Sequence, residues 1–349
     1  MRLALVVERS SRWSEGEPRE RERLRWLAER LSDRGHEVQL FCTQFWDGYE
    51  RRLRSRGVTY RAVTVAPARS TFGARLGPML AGYRPAAVHA RPTPPAALAG
   101  ARLGATAARS PLVVEWTGHE QPGVFEGGLG RRAVRTADRT LVPSGIVGTL
   151  VRELGVPEGA VEQVPHAIDP ALIRDTEPRN GADIVYAGTL DAAANVEDLL
   201  LALAELRTRG WSAQVIGTGP RRERYEELAA EYRIDDRVEF VGDLPRTERI
   251  ARLRDSHAFV QTRLEEPFAT ELLWALACGC VGIVEYQAGS SAHELVSGTG
   301  RGVRVTTPEE LSDALFEAAD RPKRDYDPAF ERYGWSNVLE QYRSAYGVE

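Results

Sequence analysis

The sequence is poor in several residues. It has one lysine, Lys323, three cysteines and two methionines, and nowhere the run of about 20 apolar residues that a membrane-spanning helix needs. Its longest uncharged apolar stretch, Leu272 to Val284, holds 13 residues and is interrupted by Cys278-Gly279-Cys280. Cys42, Cys278 and Cys280 are too few and too scattered for a disulfide framework. Cys-x-Cys alone lacks the further ligands of a zinc site, so no metal is expected. The segment from Glu8 to Glu20 contains a single glycine, Gly16, and carries neither G-x-G-x-x-G nor the P-loop pattern. A dinucleotide or ATP site is not expected there, and no cofactor is assigned. Met1 to Glu8 is too short for the apolar part of a signal peptide and reads as a buried strand, which points to the cytoplasm.

What is present suits two domains. At 349 residues the chain exceeds one ordinary domain, and 42% hydrophobic with 28% charged residues is a globular composition. Apolar runs alternate with helical patterns: strands at 2–8 and 37–41 flank a helix at 19–33, with further runs at 85–89 and 111–116. A second series gives strands at 183–187, 213–216, 238–241 and 258–261 between helices at 196–209, 221–232 and 246–255. Such alternation predicts two doubly wound parallel sheets. We place an N-terminal domain at 1–168, a second domain at 169–330 and a terminal helix at 331–349 that crosses back to the first domain. Ligands of open parallel sheets sit beyond the carboxyl ends of the strands, so the active site is expected in a cleft between the two domains.

Charge is divided unevenly. Residues 1–168 carry 25 arginines against 17 acids, whereas residues 169–349 carry 21 basic and 33 acidic residues. Between Glu50 and Glu115 there are eleven arginines and no acid. The stretch 51–114 therefore suits contact with an anionic membrane surface or an anionic substrate, or simply docking against the acidic half. No nucleic-acid partner is expected.

Three segments carry candidate chemistry. Strand 183–187 enters Gly188-Thr189-Leu190, and strand 213–216 enters Gly217-Thr218-Gly219-Pro220. Both turns are read as leading to helix N-termini, where free N–H groups favour phosphate, although a glycine after a strand is also an ordinary turn. The third runs from Leu264 through Glu266-Pro267-Phe268-Ala269-Thr270-Glu271 and Trp274 to Gly279, a carboxylate placed just before a buried helix. Taken alone, it also fits a core helix with an acid near its positive end.

Arg34-Gly35-His36-Glu37-Val38, Gly217-Thr218-Gly219-Pro220, Glu266-Pro267-Phe268-Ala269 with Ala277-Cys278-Gly279, Glu294 and Tyr333-Gly334-Trp335 match a known pattern in order and spacing. On these the chain resembles, nearly end to end, retaining glycosyltransferases of the GT-B fold, family 4. The resemblance implies a glycosyl transfer from a nucleotide-activated donor to a glycan or lipid-linked acceptor, with retention of configuration. It implies Glu266 and His119 as catalytic residues. It implies Gly188, Thr189, Gly217, Gly219, Glu266, Phe268, Ala269, Thr270, Glu271, Trp274 and Glu294 as the donor-binding set.

Departures accompany the matches. The family's ribose-holding glutamate is Trp274, its diphosphate-binding Arg and Lys fall at Thr189 and Ala194, and the Asn-Gly of its linker is His166-Ala167. Glu271, one turn before Trp274, is a substitute for the ribose contact, and Arg221, Arg222 and Arg263 are substitute cations. In the first domain His119 lies two positions past the family histidine, which aligns with Thr117, and His89 is a weaker candidate. The losses also raise a second reading: a degenerate, non-catalytic protein of the same fold that binds a glycan or a partner glycosyltransferase.

Overall fold

The computed structural model describes residues 1–8, 19–67, 69–120 and 128–347. They form two compact units, Met1–Pro165 with Val338–Glu349, and His166–Asn337.

The first unit runs β1 (Arg2–Val6), α1 (Arg19–Asp33), β2 (Glu37–Thr43), β3 (Arg52–Ser55), β4 (Val58–Thr64), α2 (Arg69–Tyr83), β5 (Ala87–Ala90), α3 (Pro95–Ala108), β6 (Leu112–Glu115), α4 (Gly128–Arg135), β7 (Arg139–Val142), α5 (Gly145–Glu153) and β8 (Val161–Gln163). Its sheet has the order β3-β4-β2-β1-β5-β6-β7-β8 and is parallel except for the β3–β4 pair. The inner strands are buried along nearly their whole length, as strands covered on both faces must be. The β3–β4 hairpin went unread in the sequence because Arg52, Arg54 and Arg61 break its apolar pattern. Arg52 and Arg54 are exposed on the edge strand β3, where charge blocks pairing with another chain. Part of the basic stretch thus has a structural use. Helices α2 and α3 meet backbone to backbone: a Cβ on Gly73 would lie 2.2 Å from Ala96 O, and one on Gly100 2.2 Å from Gly73 O.

The second unit continues with α6 (Pro170–Asp175), β9 (Ile184–Ala187), α7 (Val196–Glu205), β10 (Ala213–Ile216), α8 (Arg222–Glu231), β11 (Val238–Gly242), α9 (Arg246–Asp255), β12 (Ala258–Gln261), β13 (Glu265–Glu266), α10 (Thr270–Ala277), β14 (Val281–Glu285), β15 (Gly289–Ser290), α11 (Ala292–Val296), β16 (Gly302–Val305) and α12 (Pro308–Ala319). Six parallel strands take the order β11-β10-β9-β12-β14-β16. Alternate residues feed two cores: Tyr186 and Val260 face one, Val185 and Phe259 the other. The last helix, α13 (Trp335–Ala345), contributes Val338 onward to the first unit.

Each sheet is Rossmann-like, with chain order reversing at β1/β5 in the first unit and β9/β12 in the second. Among the described residues no helix is long and apolar enough to cross a membrane.

Candidate functional site

In a doubly wound sheet the point where strand order reverses leaves a crevice at the carboxyl ends, since the flanking loops depart to opposite faces. In the second unit that point lies between β9 and β12, whose loops contain Gly188-Thr189 and Arg263 to Glu266. Leu264 N donates to Ala193 O at 2.9 Å and Thr262 Oγ1 to Ala194 O at 2.9 Å, stitching the two loops together.

The glycine turns interlock with one another. Gly217 has φ +134°, and a Cβ there would sit 1.9 Å from Gly188 O; a Cβ on Gly219 would sit 2.3 Å from Leu190 O. Leu190 N donates to Thr218 O and Arg221 N to Leu190 O, so the second turn is pinned on the first. Glycine is needed here for close backbone approach, whatever a ligand adds. One expectation is corrected: the Gly188 turn does not lead directly into α7. A 3₁₀ turn at Ala192–Ala194 intervenes, capped by Asp191, and Asn195 then takes φ +49° before the helix begins.

Glu266 is fixed by its main chain. Strands β13 and β15 pair with Glu266 opposite Ser290, and Glu266 O accepts from Ser291 N at 2.9 Å. Glu294 N in turn donates to Ser291 O, which brings Glu294 to the same loop. The half-buried Glu266 Oε2 lies 3.6 Å from Arg263 Nε. Ser291 Oγ is buried without a hydrogen-bond partner among the described residues, a polar atom that a ligand hydroxyl or water would satisfy.

Arg263 is not available as a loose cation. Its guanidinium grips Asp191 with two bonds of 2.9 Å and also donates to Thr189 O and Glu265 O. Partial burial would raise the Asp191 carboxyl, but the Arg263 grip holds it below its ordinary range. Arg221 lies 3.5 Å from Glu197, and Arg222 binds Glu226 and Phe240 O. All three substitute cations therefore have protein partners. Asp191, unread in the sequence, follows Gly-Thr-Leu as an N-cap acid would, the one local signal for it.

The remaining donor-set residues lie on α10 and its approach. Phe268 and Ala269 are buried in the core, and the Phe268 ring packs at 4.7 Å on His166. His166 Nδ1 shares a 2.7 Å hydrogen bond with Thr270 Oγ1, so the linker residue that departs from the family pattern is built into the head of α10. Glu271 is buried and accepts from Arg249 Nη1 at 2.9 Å. Trp274 is 3% exposed, with the Arg246 guanidinium 5.2 Å from its ring and its Nε1 unpartnered among the described residues. The edge thus gathers Gly188, Thr189, Gly217, Gly219, Glu266 and Glu294, while Phe268, Glu271 and Trp274 turn into packing between α10 and its neighbours.

A third loop adds a carboxyl pair. Glu285, at the end of β14, is 5% exposed; Asn195 Nδ2 donates to Asp198 at 2.7 Å and to Glu285 at 3.3 Å, and Gln287 Nε2 donates to Glu285 at 2.8 Å. Burial, reinforced by the negative Asp198, pushes the Glu285 carboxyl up to about 7. Sequence spacing gave no hint of this pair, because 87 positions separate its members.

In the first unit His119 is exposed after β6. Its loop is closed by the Glu120 carboxylate, which accepts from Thr117 N, Thr117 Oγ1 and Gly118 N at 2.8–3.1 Å. His89 is fully buried: Nε2 lies 3.2 Å from Glu115 Oε2 and Nδ1 2.8 Å from the Tyr346 hydroxyl. Glu115 also accepts from Arg23 Nε at 2.7 Å and from the Tyr342 hydroxyl. Burial would raise Glu115, but Arg23, His89 and Tyr342 hold it well below the usual range. Among the described residues no group of three or more His, Cys, Asp or Glu side chains could hold a metal ion.

Residues 172–329 match the family described as glycosyl transferases group 1, and residues 21–167 match the glycosyl transferase 4-like domain. A phosphatidylinositol N-acetylglucosaminyltransferase subunit from Arabidopsis thaliana is 23% identical over 202 residues, 55% of this chain and 45% of that protein. Glycogen synthase of Mycobacterium tuberculosis is 28% identical over 196 residues, 54% of this chain and 47% of that protein. The chain spans less than half the length of these curated relatives. Among solved structures, Alr3699/HepE of Anabaena in complex with UDP superposes with a TM-score of 0.77 at 14% identity, covering 99% of this chain and 100% of that one. The two Rossmann-like sheets are those of the GT-B fold.

Proposed function

The chain belongs to the glycosyl transferases group 1 family, and we propose that it moves a hexosyl group from a nucleotide-activated donor to a glycan or lipid-linked acceptor, with retention of configuration. The observation that carries this reading is the assembly at the β9/β12 reversal. There a half-buried carboxylate, Glu266, is pinned by its main chain beside interlocked glycine turns, and the buried Ser291 Oγ lacks a partner among the described residues. Solved neighbours of the same fold hold UDP and UDP-glucose, which supports a nucleotide-sugar donor.

In this reading Glu266 contacts the hydroxyls of the transferred sugar. Helix α10 opens at Ala269 without a side-chain cap, and the positive end of its dipole faces the charge that develops on the leaving phosphate. That field substitutes in part for the missing family cations, since Arg263 is committed to Asp191. The leaving phosphate takes the proton of the acceptor hydroxyl, and His119 lines the acceptor side. Through the arginines of 51–114 the first unit would meet an anionic acceptor or membrane on the cytoplasmic side.

One observation favours the second reading, a non-catalytic glycan or partner binder: each of Arg221, Arg222 and Arg263 is already paired within the protein. Thermal unfolding of the whole chain with UDP, GDP and ADP separates the two. A nucleotide at about 100 times its Kd stabilises by about 2.7 kcal/mol, and a selective rise in Tm supports the transferase. No rise with any of the three, in a cooperatively folding sample, supports the binder.

A further inference from the structure

The amino ends of the second sheet carry a cavity of about 460 Å³, within the roughly 300–1,000 Å³ range of ligand pockets. It lies at the starts of β9, β10 and β12, the opposite edge from Gly188, Gly217 and Glu266, so its occupant is not the donor. The ends of α7 and α12 complete the wall.

Its walls combine flat apolar faces with hydrogen-bonding groups of both kinds. Phe316 is 43% exposed, and the Arg209 guanidinium lies over its ring at 4.0 Å. Trp211 spends its indole N–H on Leu206 O at 2.9 Å, so what it offers the cavity is ring surface. Asp183 receives Ser212 N and Oγ, both on Oδ2 at 2.8 Å, leaving the lone pairs of Oδ1 as acceptors. His257 donates Nε2–H to Ala318 O at 2.7 Å, which leaves Nδ1 as its other polar ring atom. Arg209 supplies donors.

Charge decides the class of occupant. The four ionic side chains of the wall are Asp183, Arg209, Asp255 and Lys323, and they sum to zero, with Lys323 held on Asp255 at 3.1 Å. An anion would meet two carboxylates and a cation two basic groups, so neither gains overall. A neutral ligand with an apolar face and many hydroxyls, each both donor and acceptor, fits every element: the face lies on the aromatic rings, and the hydroxyls pair with Asp183, His257 and Arg209.

We infer that this cavity, walled by Trp211 and Phe316 and rimmed by Asp183 and Arg209, is a second binding site, for a neutral saccharide. It goes beyond the transfer reaction and does not depend on the donor reading.

The test uses the full chain and four neutral trisaccharides, maltotriose, cellotriose, mannotriose and chitotriose, in saturation-transfer NMR. At least one is expected to bind. Its affinity should fall about tenfold or more in both Phe316→Ala and Arg209→Ala, a loss of about 1.4 kcal/mol each, and persist in Glu266→Gln. Both truncated side chains are on the surface, and unchanged far-ultraviolet circular dichroism and Tm would show that the fold is kept. Binding by none of the four would overturn the inference, and so would binding that survives both truncations. Arg209-dependent retention of inorganic phosphate instead of sugar would overturn it as well. Nucleotide-induced stabilisation in the same variants reports separately on the donor site, so failure of one reading is distinguishable from failure of the other.

Discussion

Glu115 ends a strand of the first unit's Rossmann-like sheet and Glu266 follows a strand of the second's, yet they are built in opposite ways. Glu115 is 2% exposed and answered on all sides by Arg23, His89 and Tyr342, with Arg23 also donating to Val164 O and Pro165 O. Glu266 is half-buried, set by its main chain, and its Oε2 lies 3.6 Å from Arg263 Nε. A carboxylate with both oxygens hydrogen-bonded is a tie that holds the C-terminal helix on its sheet. One whose backbone is fixed at the strand reversal is placed to meet a ligand.

The sharpest break of that comparison is Glu115→Ala. It strands the Arg23 guanidinium in a dry site, and removing one partner of a buried pair costs about 3–5 kcal/mol. Chemical denaturation should show this loss, with the first unit failing first; a cost below about 1 kcal/mol would mean the cluster is solvated. Glu266→Gln should do the reverse. Stability changes by no more than about 0.5 kcal/mol, while transfer or donor hydrolysis falls about 10²–10³-fold. Unchanged turnover would remove Glu266 from the reaction.

Gly217→Ala comes next. The added methyl would stand 1.9 Å from Gly188 O at φ +134°, so the turn must move, at about 1–3 kcal/mol. Denaturation reads the cost. If the interlocked turns also shape the donor site, any nucleotide-induced rise in Tm disappears with it.

The sequence showed these places unequally. Strand runs such as Ile184-Val185-Tyr186-Ala187 were legible because burial on both faces makes them continuously apolar, and the two glycine turns were legible because glycine marks a backbone constraint. The β3–β4 hairpin was not, since an edge strand protected by arginines does not look like a strand. Within α10, Glu271 and Trp274 read as ligand contacts because spacing along one helix says nothing of what the neighbouring helix brings; Arg249 and Arg246, more than twenty positions away, set their partners. Arg263 looked like a spare cation for the same reason. Its partner Asp191 lies across the strand reversal, and such contacts exist only once the sheet is assembled.

The most gradual effect is a slope with pH. Glu285 titrates in the folded protein at about 7, raised from an ordinary 4.5 by burial and then by Asp198. Between these two values the folded state holds a proton that the unfolded chain has released, so stability declines as pH rises through this window. It levels off above 7, where both states are ionised, and below 4.5, where both are protonated. One group contributes at most about 1.4 kcal/mol per pH unit, and sharing of the proton with Asp198 spreads the change over a wider range. Unfolding free energies of wild type and Glu285→Gln between pH 4.5 and 8 should therefore differ by an amount that moves in favour of the variant as pH rises. A pH-independent difference would mean that Asn195 and Gln287 alone neutralise the site. The loops after β9 and β14 would then be tied by fixed hydrogen bonds, as the Glu115 cluster is, and not by a titrating pair.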